Sequence, residues 1–300
     1  MSENDRPPKL RRTMMLTPGN RPERLAKATQ LNIDAAAFDL EDGVGPDQKA
    51  EARQVINQQL ATLDFGHRER LVRINAVGTE DYQLDMKELS FANIDAVFVP
   101  KVETPEQLAT LDDALTSVEM ALGDGRKLDV VATIETPRGM LNALAIADAS
   151  ERTSALFFGS GDYSAATGAA VTEEALAFPR ATLVAAASAA GLQAIDAAYF
   201  VAVKDAEATK HDALLAKDLG FVGKVIFHPN QIDPCNEVFS PAPTEVERAR
   251  KIVKAHAAAI AEGKGVAYVD GEFLAFDIVL MAQRILAKAE LLEKRMSGDS

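Results

Sequence analysis

Short apolar runs of strand length recur eight times in this chain, each followed by a polar or Gly/Pro signal and then by a longer segment with helical spacing of Leu, Ala, Ile and Val. The runs are Thr13 to Pro18, Ala35 to Asp42, Arg70 to Asn75, Ala96 to Glu103, Val130 to Thr136, Ala155 to Asp162, Gln193 to Tyr199 and Lys224 to Pro229. Segments between them, such as RPERLAKATQL and TPEQLATLDDALTSV, are amphipathic helices. Apolar strands buried on both faces imply parallel pairing with helices outside, so the eight repeats predict an α/β fold of the (β/α)8 TIM-like barrel type. A doubly wound open sheet is the alternative. The repeat count speaks against it, as does the lack of a Gly-x-Gly-x-x-Gly fingerprint after the first run.

Beyond the eighth run the pattern changes. A Pro- and Asn-rich stretch opens a long helix through EVERARKIVKAHAAAIAEG, followed by a turn at Gly263 and Gly265, a short strand in VAYVDGEFL and a last helix, IVLMAQRILAKAELLEKRM. The expected division is 1–235 for the barrel and its active site, and 236–300 for a C-terminal helical arm. The amphipathic last helix needs a surface to cover, either the barrel's mouth or a neighbouring subunit.

The formal charge of −13 opposes attraction to nucleic-acid phosphates or anionic lipid, so neither a nucleic acid nor a membrane is expected as a partner. No apolar run approaches a membrane span, and no apolar stretch of signal-peptide length follows the basic residues of the N-terminus. The single Cys235 excludes an internal disulfide and a Cys-rich zinc site, and four scattered His leave little for an imidazole metal centre. A cytoplasmic protein is expected.

In a barrel of this kind the active site lies at the C-terminal ends of the strands, so the polar residues closing each run are the informative ones. They are Thr17, Asp39, Glu41, Asp42, Arg73, Asn75, Lys101, Glu103, Glu135, Asp162, Asp196 and His228. Any one of them can simply mark where a strand reaches water; together they form a polar ring whose burial is costly without a cation or hydrogen bonds. Glu135 and Asp162 close successive runs with no Cys or His at ligand spacing, which suits a hard divalent ion, Mg2+ or Mn2+, completed by waters and substrate oxygens. Arg73 offers a planar fork for a carboxylate or oxyanion, or else an ion pair with Glu41 or Asp42.

GSGD lacks the lysine and spacing of a phosphate loop and reads as a tight turn, placing Gly161 beside a ligand. ETPRG, with Pro137, likewise leaves backbone N–H groups near a helix start, where a substrate carboxylate can sit. Arg21, Arg24 and Lys27, three residues apart, share a helix face at the rim and are either solvated surface or a seat for phosphates. His228 before Pro229 reads as a structural histidine, since one His does not define a metal site.

The segments RRTMMLTPGNRPERLAKA, DAAAFDLEDGVGPDQKAEAR, LVRINAVGTE, DAVFVPKVET, IETPRGMLNA, LFFGSGDYS and GFVGKVIFHPNQIDPCNEVFSPAPTEVERA resemble the citrate lyase β-subunit and malyl-CoA lyase branch of the HpcH/HpaI aldolase superfamily, in unbroken order over nearly the whole chain. The resemblance implies a modified TIM barrel, a divalent metal, an acyl-CoA substrate with a 2-oxo acid product, and a homotrimer or hexamer in which the C-terminal arm reaches a neighbour's site. Residue by residue it makes Glu135 and Asp162 the metal ligands and Arg73 the partner of the oxo-acid or acyl oxygen. Glu41 and Asp42 would organise Arg73 and water at the metal, and Arg21, Arg24 and Lys27 would meet the CoA phosphates.

One departure from that pattern bears on activity. Lyases of this branch end in a segment of the form Asp-Gly-x-Met-Val/Ile-Asp, whose last Asp serves as acid/base on the enolate carbon; in VDGEFLAFDIV the aligned residue is Ala275. Alanine transfers no proton. Asp270, Glu272 and Asp277 are near in sequence but none is at the matching position. The activity expected first is a Mg2+-dependent lyase cleaving a 3-hydroxyacyl-CoA of malyl-CoA or citramalyl-CoA type. The alternatives are a thioesterase acting on the same substrate and the β-subunit of a citrate lyase-like complex.

Overall fold

The computed structural model describes residues 9–198, 200–262, 267–269 and 272–297. Eight parallel strands close in sequence order into a barrel: β1 (Thr13–Pro18), β2 (Ala35–Asp39), β3 (Glu69–Arg73), β4 (Ala96–Val99), β5 (Asp129–Ile134), β6 (Thr153–Phe158), β7 (Gln193–Ala197) and β8 (Gly223–Ile226). The seam pairs Thr13 with Lys224, Met14 with Val225 and Met15 with Ile226, which rules out the open-sheet alternative. Among the described residues there are twelve α-helices: α1 (Pro22–Ala28), α2 (Lys49–Thr62), α3 (Glu80–Glu88), α4 (Pro105–Leu122), α5 (Pro137–Leu141), α6 (Ala143–Ala147), α7 (Ser160–Thr167), α8 (Glu173–Ala189), α9 (Ala206–Leu219), α10 (Ile232–Phe239), α11 (Pro243–Ala261) and α12 (Phe276–Ser297). Among the described residues no helix is long and apolar enough to cross a membrane.

Strand alternation decides which residues fill the barrel. Met14, Ala35, Ala37, Leu71, Ala96, Phe98, Val131, Ala155, Phe157, Ile195, Ala197 and Val225 form one buried interior cluster. The alanines of β2 leave room for Phe98 and Phe157, whose rings meet edge to face at 5.2 Å. At the N-terminal end Arg11 closes the barrel, with Nε and Nη2 each 2.7 Å from the Glu69 carboxylate and further bonds to Ser154 and Gln193. In barrels of this kind that face serves stability and the opposite face the chemistry.

The same alternation corrects one expectation. Asp196 lies between the interior residues Ile195 and Ala197 and so points outward, away from the mouth. It is buried against the helices, where Lys224 Nζ reaches it at 2.5 Å and Arg180 Nη2 at 2.9 Å, and both cations also hold Asp212.

The chain divides into two compact units, one over Arg11–Glu237 and a second beginning at Val238. In the second, Ala249 and Ile252 of α11 pack with Leu274 and with Val279 and Ala282 of α12, so the amphipathic last helix covers part of its apolar face within its own unit. The single strand expected there is an antiparallel pair, β9 (Ala267–Val269) with β10 (Glu272–Leu274). Gly263, Gly265 and Asp270 lie outside the described residues.

Candidate active site

The end of β2 builds the anchor of the barrel mouth. The Asp39 carboxylate accepts the backbone N–H groups of Glu41 at 2.8 Å and Gly43 at 2.9 Å, which curl the chain around it. Position 43 must be glycine, because a Cβ there would stand 2.3 Å from Asp39 Oδ2. From β3, Arg73 closes on the same carboxylate with Nε at 2.7 Å and Nη2 at 2.6 Å. The partner expected for Arg73 was Glu41 or Asp42. The bidentate partner is Asp39, and Glu41 stands second, 3.3 Å from Nη1. Burial alone would lower the Arg73 pKa, but the Asp39 bond and the charges of Asp39, Glu41 and Glu135 more than offset it and hold the guanidinium protonated.

Lys101, just beyond β4, is the residue whose role sequence reasoning missed. Its φ of 53° is the one positive value outside glycine among the described residues, a conformation that costs a side-chain-bearing residue energy unless its surroundings hold it. Both ends of Lys101 are engaged. Its N–H donates to Glu135 Oε1 at 2.8 Å, and its ammonium binds the carboxylates of Glu41 and Asp42. Glu41 is buried and Asp42 exposed. Burial raises the Glu41 pKa beyond what Arg73 and Lys101 take back, whereas for Asp42 the bonds to Glu41 and Lys101 outweigh burial and the net shift is downward.

Glu135 follows β5 and is 2% exposed. Asp162 does not end β6 as the sequence suggested: β6 stops at Phe158, the chain turns at Gly159, and Asp162 sits exposed in the first turn of α7. The two carboxylates nevertheless face each other electrostatically. Burial first and the Asp162 charge second push Glu135 up to about 8. Gly159 makes the space, since a Cβ there would lie 2.6 Å from Glu135 Oε2.

Two facing carboxylates, one raised by burial and repulsion, form a donor set that a hard divalent cation would relieve. Among the described residues no group of three or more His, Cys, Asp or Glu could hold a metal. A cation held by this pair therefore takes its remaining oxygens from water and substrate.

Gly161 lies beside Asp162 in the first turn of α7, where backbone N–H groups have no acceptor within the helix. Pro137 opens α5 and has no N–H to give. Gly139 N–H there is already taken by Thr136 Oγ1 at 3.0 Å, so Arg138 N–H is the donor left in that turn. Arg21 caps α1 from outside the helix while Arg24 and Lys27 lie within it; all three are exposed, and among the described residues none forms an ion pair. His228 is a cap whose Nδ1 accepts Asn230 N–H at 3.1 Å. Ala275 belongs to the second unit, where its carbonyl accepts the N–H groups of Ile278 and Val279 at the start of α12, with Asp277 exposed nearby.

Known proteins share this arrangement of sequence and fold. The HpcH/HpaI aldolase/citrate lyase family matches residues 12–229. A (3S)-malyl-CoA thioesterase of Cereibacter sphaeroides is 36% identical over 283 residues, 94% of this chain and 95% of that protein. A citrate lyase subunit beta of Leuconostoc mesenteroides subsp. cremoris is 34% identical over 284 residues, 94% of each chain. The crystal structure of protein CitE from Mycobacterium tuberculosis in complex with magnesium, acetoacetate and coenzyme A is similar at a TM-score of 0.73 and 30% identity, covering 93% of this chain and 97% of that one. The chain belongs to the HpcH/HpaI aldolase/citrate lyase family.

Proposed function

We propose that this protein is a divalent-cation-dependent carbon–carbon lyase that cleaves a 3-hydroxyacyl-CoA of malyl-CoA or citramalyl-CoA type into a 2-oxo acid and an acyl-CoA. The observation that carries the reading is Arg73, fixed on Asp39 and directed with its remaining nitrogen toward Glu41, beside the buried Glu135 and its neighbour Asp162. A Mg2+ or Mn2+ ion held by Glu135 and Asp162 would supply positive charge for the oxygens of the oxo acid.

In the cleavage the substrate's 3-hydroxyl gives up its proton to solvent and becomes the oxo group, and one proton from solvent returns to C2 to complete the acyl-CoA, so none is consumed overall. The bond between C2 and C3 breaks, and its electron pair passes into the thioester as an enolate. Arg73 stabilises that developing charge without reorganising, because Asp39 already holds it in place. Glu41 and Asp42, tied by Lys101, keep the other side of the fork in register. The first turn of α7 at Gly161 and that of α5 at Pro137 flank a place for the substrate carboxylate, and Arg21, Arg24 and Lys27 offer exposed cations to the CoA phosphates. The assembly is a cytoplasmic homotrimer or hexamer, with the arm of 236–300 lying on a neighbouring subunit.

Thioester hydrolysis is the second reading, favoured by Ala275 and by the malyl-CoA thioesterase among the relatives. In it water attacks the thioester carbonyl, the C–S bond breaks and the CoA thiol leaves with a proton, and no enolate carbon needs protonating. A third reading, a β-subunit dependent on an acyl carrier, is favoured by the relative of that name. One experiment separates them: the isolated protein with Mg2+ and malyl-CoA or citramalyl-CoA, followed by NMR. Glyoxylate or pyruvate with acyl-CoA identifies the lyase, free hydroxy acid with CoA thiol the thioesterase, and no turnover of either CoA thioester together with turnover of the same acyl groups on an acyl carrier protein the carrier-dependent subunit.

A further inference from the structure

Beside the turn that leads to Asp162, within the barrel unit, a cavity of about 300 Å³ lies between α7 and α8 on one side and the end of β7 and α9 on the other. Leu176, Ala197, Phe200, Ala208 and Leu215 supply apolar wall, and Ser160 joins it to the turn that carries Asp162. The junction is close. A Cβ placed on Gly161 would stand 3.6 Å from Phe200 Cζ, so the aromatic wall lies against the glycine adjoining Asp162.

Of the polar lining, Arg180 and Asp212 are committed to a buried ion-pair set, and Ser160, Thr172 and the exposed Glu173 and His211 complete that lining. Arg180, the one Lys or Arg among the described lining residues, binds Asp212 at 2.8 Å and Asp196 at 2.9 Å. Lys224 binds the same two aspartates at 2.7 and 2.5 Å, so two cations and two anions balance within the wall. Breaking one partner out of such a buried set leaves an uncompensated charge. Among the described lining residues no Lys or Arg is left for a ligand carboxylate and Glu173 at the edge repels one, so the apolar wall suits an uncharged alkyl group.

We infer that this cavity is a substituent pocket of the active site, receiving an alkyl chain on the 2-oxo acid half of the substrate. Within the malyl-CoA and citramalyl-CoA type, the substrates favoured are then thioesters whose oxo-acid half carries an alkyl chain with no second carboxylate on it. The inference rests on the reading that the oxo acid binds at a cation held by Glu135 and Asp162.

The test is calorimetric titration of the full chain with Mg2+ and, in turn, glyoxylate, pyruvate, 2-oxobutyrate and 2-oxovalerate. Each methylene entering apolar surroundings should tighten binding about fourfold. Ala208→Phe, a change at a half-buried wall position, should abolish that gain and leave glyoxylate affinity unaltered. The chain contains no Trp, so Phe200→Trp places its single tryptophan in the wall, and the indole emission should respond to 2-oxovalerate and not to glyoxylate. That readout does not depend on Ala208→Phe folding. Affinity that is flat or falls with chain length, while glyoxylate and pyruvate still bind, overturns the pocket alone. Failure of every oxo acid to bind overturns the pocket together with the reading beneath it.

Discussion

Arg73 and Asp39 meet as two parallel hydrogen bonds, Nε to Oδ1 at 2.7 Å and Nη2 to Oδ2 at 2.6 Å, and the same carboxylate also accepts two backbone N–H groups. Four donors saturate Asp39, so it is an orienting residue with no lone pair to spare for a metal or a proton. Asp39→Asn replaces one accepting oxygen with a donor and should release the fork. We expect kcat to fall by about 10²-fold, the range for losing one positioned charge donor, with a similar loss in Arg73→Lys. Steady-state kinetics on the CoA ester check this, and a change of only a few-fold in both variants places Arg73 in a purely structural pair.

Lys101 joins the two halves of the mouth, and its two functions separate by substitution. Lys101→Met keeps the N–H to Glu135 but strips Glu41 of its ammonium partner, so activity should fall while the φ of 53° remains strained. Lys101→Gly should lose the same activity yet melt higher than Lys101→Met, because glycine enters the left-handed region without the roughly 1 to 2 kcal/mol that other residues incur. Paired kcat and Tm measurements read both effects. Equal melting temperatures would remove the strain from the account.

Glu135 makes the metal-free protein sensitive to pH. Its folded pKa of about 8 lies above the ordinary 4.5, so between those values the folded state holds a proton that the unfolded chain has given up. The sign follows: the stability due to the neutral carboxyl is fully present below pH 4.5 and is lost as pH rises toward 8. With chelator present, Glu135→Gln should raise Tm at pH 8.5 and change it little at pH 4.5. An equal effect at both pH values would contradict the raised pKa.

Ala275 predicts a slow protonation of carbon. A positioned general acid contributes about 10²- to 10⁴-fold, so Ala275→Asp should raise oxo-acid release by up to that factor. If Asp277 has taken the role, Asp277→Asn abolishes the lyase reaction and Ala275→Asp adds little. Assays of both product pairs decide between them, and fast thioester hydrolysis beside negligible oxo-acid release promotes the thioesterase.

The barrel was legible in the sequence because eight apolar runs and their helical spacers repeat, and the interior cluster of alternating residues shows why. Parity was harder to read. Asp196 lies inside an apolar run and was grouped with the residues that close the others, yet the residues on either side face inward and turn it toward Lys224 and Arg180. Asp162 falls in a helix because β6 ends before the turn at Gly159; GSGD was readable as a turn, but the apolar run alone did not show that the strand stops ahead of it. Arg73 was found by its chemistry and Glu41 as one of its partners, but the bidentate partner was not, because Asp39, Glu41 and Asp42 lie within four positions and only the curl of backbone around Asp39 selects among them. Lys101 carries no turn signal of its own. Its left-handed backbone follows from two simultaneous attachments, to Glu135 and to Glu41, that exist only after the barrel has closed.

The central claim is that Glu135 and Asp162 jointly hold one divalent cation beside Arg73. Calorimetric titration of the full chain with Mg2+ tests it most directly. One site per chain should be seen in the wild type, and that binding should be lost in Glu135→Gln and in Asp162→Asn while both variants keep the wild-type fold by circular dichroism. Unchanged Mg2+ affinity in both variants would contradict the account.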